Sequence, residues 1–412
     1  MKQLRTFFME DFLENHRFQS KYNLGESGGH PRTVQELLTE SAFSEKEIFS
    51  EFWNMKLNDS PNRGRDDLRE IVSSFHPGST KENVLITTGT SEALFLLFRY
   101  LKPKSVALPI PAFQLLYELP ISLNAQIIPL PIRFDENGVP FYDDKEWFEI
   151  LETNKPDCIL INHPHNPSGL CFSSKFLEVI QNYCQKNSVT LIGDEHYRFL
   201  SSETEILGPT LYSNEENTFI TGSFIKCLGC PGLRIGWILG PKNVLDKLQN
   251  EKNYITHTVS PITEWMSVRI LQNINSQLFF NMKKEWLQNK KVLGDFLKQS
   301  PSVYGVVPEG GLVCSLGIRT DANVLDSLGE WNILFQKLVE AGIFVLPLQS
   351  MEFGEFHFQK EKYYSDKKLS LLNLGVGFRL GLGCQPELFQ AALGEILVHE
   401  ETESRQQRRK RG

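Results

Sequence analysis

No apolar stretch in this chain of 412 residues approaches the roughly 18 needed to cross a bilayer, which sets a membrane-spanning reading aside. Charge of one sign is also scarce. A formal net charge of -7, from 43 basic and 50 acidic residues, argues against nucleic acid or an anionic membrane as partner. The basic run Arg405-Gln-Gln-Arg-Arg-Lys-Arg411 reads as a solvated, disordered tail. The start, Met1-Lys-Gln-Leu-Arg-Thr-Phe-Phe-Met-Glu-Asp11, turns acidic too early for a secretory signal. Seven cysteines lack paired spacing, so no disulfide framework is expected and a reducing, cytoplasmic setting fits. The exception, Cys227-Leu-Gly-Cys230, is read as packing rather than redox or metal binding, because a glycine turn and Pro231 account for the segment. There is no internal repeat, and no low-complexity segment besides the tail.

What is present concentrates in a few short blocks. Ser223-Phe-Ile-Lys226 continues to Arg234 through a glycine-rich turn. A lysine amine condenses with an aldehyde only when unprotonated, so it needs a partly desolvated pocket and neighbouring positive charge. Upstream, Leu191-Ile-Gly-Asp194-Glu-His-Tyr197 reads as a buried strand ending in a carboxylate, with a phenol three residues on. Strand ends of this kind hold ligands in α/β proteins. Val84-Leu-Ile-Thr-Thr-Gly89-Thr90-Ser91-Glu92 is a strand, a glycine turn and a helix start, and backbone amides at such a start cradle phosphate. Cys158-Ile-Leu-Ile leads into Asn162-His-Pro-His-Asn166-Pro-Ser-Gly169. Its two histidines lack a third ligand at zinc-like spacing, so a turn is expected and no metal. Arg379 stands alone among apolar and glycine residues in Gly375-Val-Gly-Phe-Arg379-Leu-Gly-Leu-Gly, a costly place for an unpaired guanidinium unless a carboxylate ligand pairs with it.

In this order the blocks resemble the class I/II aminotransferase family of fold type I, which uses pyridoxal 5'-phosphate (PLP). The resemblance implies an α/β fold: a large domain with a mainly parallel sheet between helices, plus a smaller α+β domain. The expected limits are an N-terminal arm and part of the small domain over 1–45, the large domain over 46–294, the small domain over 295–400 and a disordered tail over 401–412. It assigns Lys226 as the anchor and proton-transfer base, Asp194 as partner of the pyridine nitrogen, and Tyr197 and Asn166 as donors to the phenolic oxygen. Thr90, Ser91, Ser223 and Arg234 would take the phosphate, Phe113 would stack on the ring, and Arg379 would clamp the substrate's α-carboxylate. A homodimer acting on a small amino acid is the expected assembly.

Two departures narrow the reading. Asp59 stands where many aminotransferases carry a tyrosine that reaches a partner's phosphate, and Tyr22-Asn-Leu-Gly-Glu26-Ser27-Gly-Gly-His30 replaces the commoner Gly-Glu-Pro form. With the other blocks these are similar to capreomycidine synthase and related enduracididine-forming cyclases, which dehydrate and cyclise hydroxylated arginines. A cationic guanidine needs acidic neighbours, and Glu26, Ser27, Asp59 and Glu92 are the substrate-side candidates. For Glu92 a helix-start role, and for Asp59 a turn role, compete with that assignment. An ordinary α-amino acid aminotransferase uses the same lysine, aspartate and arginine and remains the alternative.

Overall fold

A computed structural model describes residues 2–319, 337–348 and 376–411. Its central sheet contains β1 Val84–Thr87, β2 Ser105–Ile110, β3 Gln126–Pro131, β4 Cys158–Asn162, β5 Thr190–Asp194, β6 Thr218–Gly222 and β7 Gly236–Leu239. The spatial order is β1-β7-β6-β5-β4-β2-β3, and only β7 runs against the rest. The reason for a mainly parallel sheet is legible in β4, whose five residues are all buried. Ile159 and Ile161 enter one apolar cluster while Cys158 and Leu160 enter another, so both faces are covered and the strand reads as a continuous apolar run.

A second, antiparallel sheet has the order β8-β9-β11-β10, formed by β8 Val303–Tyr304, β9 Val313–Ile318, β10 Leu346–Pro347 and β11 Val376–Gly381. The residue 294/295 limit expected from sequence falls inside the continuous helix Gln277–Gln299. Buried residues recur along that helix, from Leu278 through Trp286 to Phe296, so nothing interrupts it there. The last helix, Pro386–Arg411, carries its backbone through residues read as a disordered tail. Phe389, Ala392, Leu393 and Ile396 anchor its first turns, and the following Glu, Gln, Arg and Lys are good helix formers onto which a helix propagates.

The N-terminal segment joins the two sheets. Tyr22–Asn23 pairs in parallel with Ile343–Phe344, and Gly381 N donates to Leu24 O at 2.7 Å. Further on, Gly29 N donates to Lys226 O at 2.7 Å and Arg32 N to Gly229 O at 3.0 Å. A Cβ on Gly29 would lie 2.9 Å from Cys227 O, so the close approach of this strap to the lysine turn requires a glycine.

Candidate active site

The carboxyl ends of β4, β5 and β6 bring three side chains into line. Asn162, Asp194 and Thr221 are direct register partners on these neighbouring parallel strands. Thr221 Oγ1 donates to Asp194 Oδ1 at 3.0 Å, and Asn162 Nδ2 to Oδ2 at 3.0 Å. His196 Nδ1 lies 3.1 Å from Oδ2 and acts as the donor, since its partner is a carboxylate. A carboxylate offers about four lone-pair sites; three are occupied, which leaves one on Oδ1 for a pyridinium N–H. The carboxylate is thus buried, oriented and still able to accept. Sequence reasoning missed Asn162, Thr221 and His196. The signal available was positional: each stands at or just beyond the end of a buried strand.

Lys226 lies in the turn after β6, largely enclosed yet partly exposed. Its amine makes no hydrogen bond to a described residue. Burial lowers its pKa below 10.5; Glu26 and Glu10 push it back up, while Arg379 and Arg234 lower it further. Tyr197 is buried, its hydroxyl donates to Ser27 O at 2.5 Å, and burial raises its pKa. Ser27 therefore enters the site through its backbone.

Arg379 is 1 % exposed and sits on β11 between Ser315 and Leu346. Its Nη1 donates to Asn166 Oδ1 at 3.2 Å and its Nη2 to Gly25 O at 2.7 Å, with Met9 Sδ 3.7 Å from Nη1. Nε is buried and unpartnered among the described residues. A guanidinium this enclosed, with an edge unsatisfied, is suited to a carboxylate ligand. Burial lowers its pKa, and the Tyr197, Glu26 and Glu10 charges oppose that.

The anion end is built on Gly89, which caps the helix Thr90–Leu101 with φ +82. A Cβ there would lie 2.9 Å from Arg234 Nη2, so the guanidinium sits directly over the start of the helix. Thr90 and Ser91 are exposed or partly exposed in its first turn. Amides, hydroxyls and a guanidinium converging on one helix N-terminus suit a phosphate. Ser223 departs from its expected role. Its hydroxyl donates to Ile235 O at 2.7 Å and accepts from Ile225 N at 3.2 Å, so its single proton is already committed to the lysine turn.

The other candidate residues are set by their local contacts. Glu92 is buried; its Oε2 accepts from Thr88 N at 2.6 Å and its Oε1 from Thr256 Oγ1 at 2.5 Å. Both oxygens serve the fold, and the helix-start role holds in place of guanidine binding. Asp59 is exposed and contacts Thr258 Oγ1 at 3.4 Å, so it does not join the site among the described residues. Phe113 is partly buried, with its ring 5.4 Å from that of Phe7, a packing contact. Glu26 is partly exposed beside Arg17, with Glu26 Oε1 3.3 Å from Arg17 Nε. His163 and His165 are buried, and desolvation lowers their pKa values to about 4 and about 3, which makes them neutral turn residues. Among the described residues no group of His, Cys, Asp and Glu is placed to hold a metal ion. Burial raises the thiol pKa of Cys227 and Cys230, consistent with packing rather than thiolate chemistry.

Comparison with known proteins supplies the frame for this geometry. The chain is 26 % identical over 296 residues to an aspartate aminotransferase of Pyrococcus horikoshii, covering 70 % of this chain and 74 % of that protein. It is 24 % identical over 343 residues to capreomycidine synthase of Streptomyces vinaceus, covering 82 % and 85 %. Among solved structures, the PLP-dependent cyclase OrfR superposes with a TM-score of 0.82 at 21 % identity, covering 98 % of this chain and 99 % of that one. The site fits an aldehyde cofactor bearing a phosphate and a pyridine nitrogen, and PLP is the cofactor of this enzyme class. The family described as aminotransferase class I and II matches residues 53–358, and the chain belongs to it.

Proposed function

We propose that this PLP-dependent enzyme dehydrates and cyclises a hydroxylated arginine to a cyclic guanidino amino acid. The observation that carries the proposal is Glu26. It lies between Gly25, whose carbonyl Arg379 holds, and Ser27, whose carbonyl Tyr197 holds, and its charge acts on both Lys226 and Arg379. A carboxylate beside the substrate's seat favours a cationic side chain and disfavours the carboxylate of aspartate. The similarity to capreomycidine synthase and to the cyclase OrfR supports the same reading.

In this proposal Arg379 clamps the α-carboxylate and the Lys226 amine, kept unprotonated by its enclosure, removes the Cα proton. PLP supplies an electron sink for the pair left behind, with Asp194 pairing its ring nitrogen. Asn166 would donate to its phenolic oxygen, as would Tyr197 once its hydroxyl proton turns from Ser27 O; Phe113 would cover its ring while keeping its contact with Phe7, and Thr90, Ser91 and Arg234 would hold its phosphate. Lys226, now an ammonium, protonates the departing hydroxyl, which leaves as water. A guanidine nitrogen then adds to the alkene, and the proton it loses balances the one returned to Cα; for a 4-hydroxyl a Cβ proton is also removed before the hydroxyl leaves and is returned after the ring closes. The net change is loss of one water with no redox partner.

The second reading, an α-amino acid aminotransferase, uses the same first step and is supported by the similarity to aspartate aminotransferase. The test mixes the holoenzyme with 3-hydroxyarginine or 4-hydroxyarginine without a 2-oxo acid and follows products by mass spectrometry. Repeated turnover with loss of water is expected. A single turnover rescued by pyruvate or 2-oxoglutarate would establish the aminotransferase instead.

A homodimer belongs to this proposal. The helix Glu45–Trp53 buries none of its residues, and Phe49, Trp53 and nearby Leu57 are 63 %, 73 % and 74 % exposed. An apolar surface of this kind next to the Asp59 loop suits a second copy; sedimentation at a monomer mass would overturn that part.

A further inference from the structure

We propose that Arg17 is an internal guanidinium seated in the subsite for the substrate's side-chain cation, held there by Glu10, Glu14 and Glu26 and displaced when the substrate enters. The inference rests on the cationic-substrate reading above and adds to it three residues, Glu10, Glu14 and Arg17, together with a mode of entry.

The seat is well defined and poorly filled. Arg17 Nη2 lies 3.2 Å from Glu10 Oε2, Nη1 3.7 Å from Glu14 Oε2 and Nε 3.3 Å from Glu26 Oε1. These contacts are long for charge-assisted hydrogen bonds; elsewhere in this chain Arg32 reaches Glu285 at 2.7 Å and Arg5 reaches Glu118 at 2.6 Å. Arg17 Nε is buried without a properly aligned acceptor. Three carboxylates thus face one guanidinium that satisfies them incompletely.

The location points to an amino acid. Met9, the residue before Glu10 on the helix Phe8–His16, touches Arg379. Glu26 lies on the strap that accepts from Arg379 and Tyr197 on either side of it. The unpartnered Nε of the buried Arg379 calls for a carboxylate, and the acidic cluster calls for a cation. An α-amino acid with a guanidine or amine at its far end supplies both. The glutamates also act electrostatically on Lys226, so exchanging one cation for another among them leaves the field at its amine nearly unchanged.

Displacement is inexpensive. The side chains of Arg17, Glu10 and Glu26 are 26 %, 48 % and 35 % exposed, and ion pairs this wet are worth little each. Arg17 can therefore swing to solvent, and an arginine-like cation with a better-aligned fork takes its place. A neutral side chain makes no ion pair with the carboxylates and does not compete with Arg17 for them.

The test is equilibrium binding of the holoenzyme to 2-methylarginine, which lacks the Cα proton and cannot turn over, with 2-methylnorleucine as the neutral comparison. Wild type should prefer 2-methylarginine. Arg17→Gln should tighten 2-methylarginine about fivefold, close to 1 kcal/mol, and leave 2-methylnorleucine unchanged, which also shows that the variant is folded. Glu10→Gln should weaken 2-methylarginine alone. If wild type prefers the cation but Arg17→Gln leaves its affinity unchanged or weaker, Arg17 is a structural ion pair and the inference fails. If wild type shows no preference, the cationic-substrate reading fails as well.

Discussion

Arg379 on β11 of the small sheet donates to Asn166 in the turn after β4 of the central sheet, at 3.2 Å. This bond ties the residue proposed to clamp the substrate to the residue proposed to hold the cofactor's phenolic oxygen. Replacing Arg379 by Lys keeps the charge but loses the fork. We expect KM for the amino acid to rise roughly 10- to 100-fold, the worth of a charged hydrogen bond, with a smaller change in kcat. Steady-state kinetics with an unchanged KM would remove Arg379 from the substrate site.

Lys226 gives a prediction about stability. Its folded pKa lies below the unfolded value near 10.5, so the folded chain binds fewer protons and enclosing the ammonium costs stability at low and neutral pH. That cost is full below the folded pKa and fades as pH rises to the unfolded value. Lys226→Met should abolish turnover yet raise the melting temperature of the apoprotein at neutral pH, with the gain shrinking towards pH 10.5. Equal melting curves across that range would contradict the enclosure.

Glu26 and Glu92 should separate cleanly. Glu92→Gln disturbs a carboxylate that accepts from Thr88 N and Thr256 Oγ1, so it should lower unfolding free energy by about 1–3 kcal/mol without altering KM for a cationic substrate. Glu26→Gln should do the reverse, raising that KM severalfold at nearly constant stability. Chemical denaturation and kinetics on the two variants distinguish the roles.

His196 should matter to the cofactor more than to the substrate. Its Nδ1–H is one of three donors that orient Asp194. His196→Phe removes that donor, and the dissociation constant of PLP from the apoenzyme should rise about 10-fold. An unaltered PLP titration would show that Asn162 and Thr221 suffice.

Gly89→Ala tests the anion seat. The new Cβ would meet Arg234 Nη2 at 2.9 Å from a backbone at φ +82, so uptake of PLP should weaken while that of pyridoxal, which has no phosphate, should not. Parallel loss of both would mean that the turn itself had collapsed.

The residues most legible in the sequence were those whose chemistry is costly without a partner. Lys226, Asp194, Tyr197, Asn166, Arg234 and Arg379 were all named from short blocks and the family these resemble; the structure sets Asp194 at the end of β5, Arg379 against Asn166 and Arg234 over Gly89. Glu92 and Ser223 were misread because sequence shows a polar group near a site but not where its hydrogen bonds go. Both turned out to be saturated by local backbone or by Thr256. Glu10 and Arg17 were passed over because nothing about an N-terminal amphipathic helix announces which cleft it covers.

The sequence by itself determined the α/β class, the mainly parallel sheet and the family, because alternating buried strands and helix starts follow from local apolar patterning and glycine turns. Only the tertiary structure decided which acids face the lysine. It placed Asn162, Asp194 and Thr221 in one register row, drew residues 25–29 against Arg379, Tyr197 and Lys226, and set Arg17 among Glu10, Glu14 and Glu26. The strap contacts join residues 170 and 354 positions apart and the register row joins strands 27 and 32 positions apart, separations that no local pattern encodes.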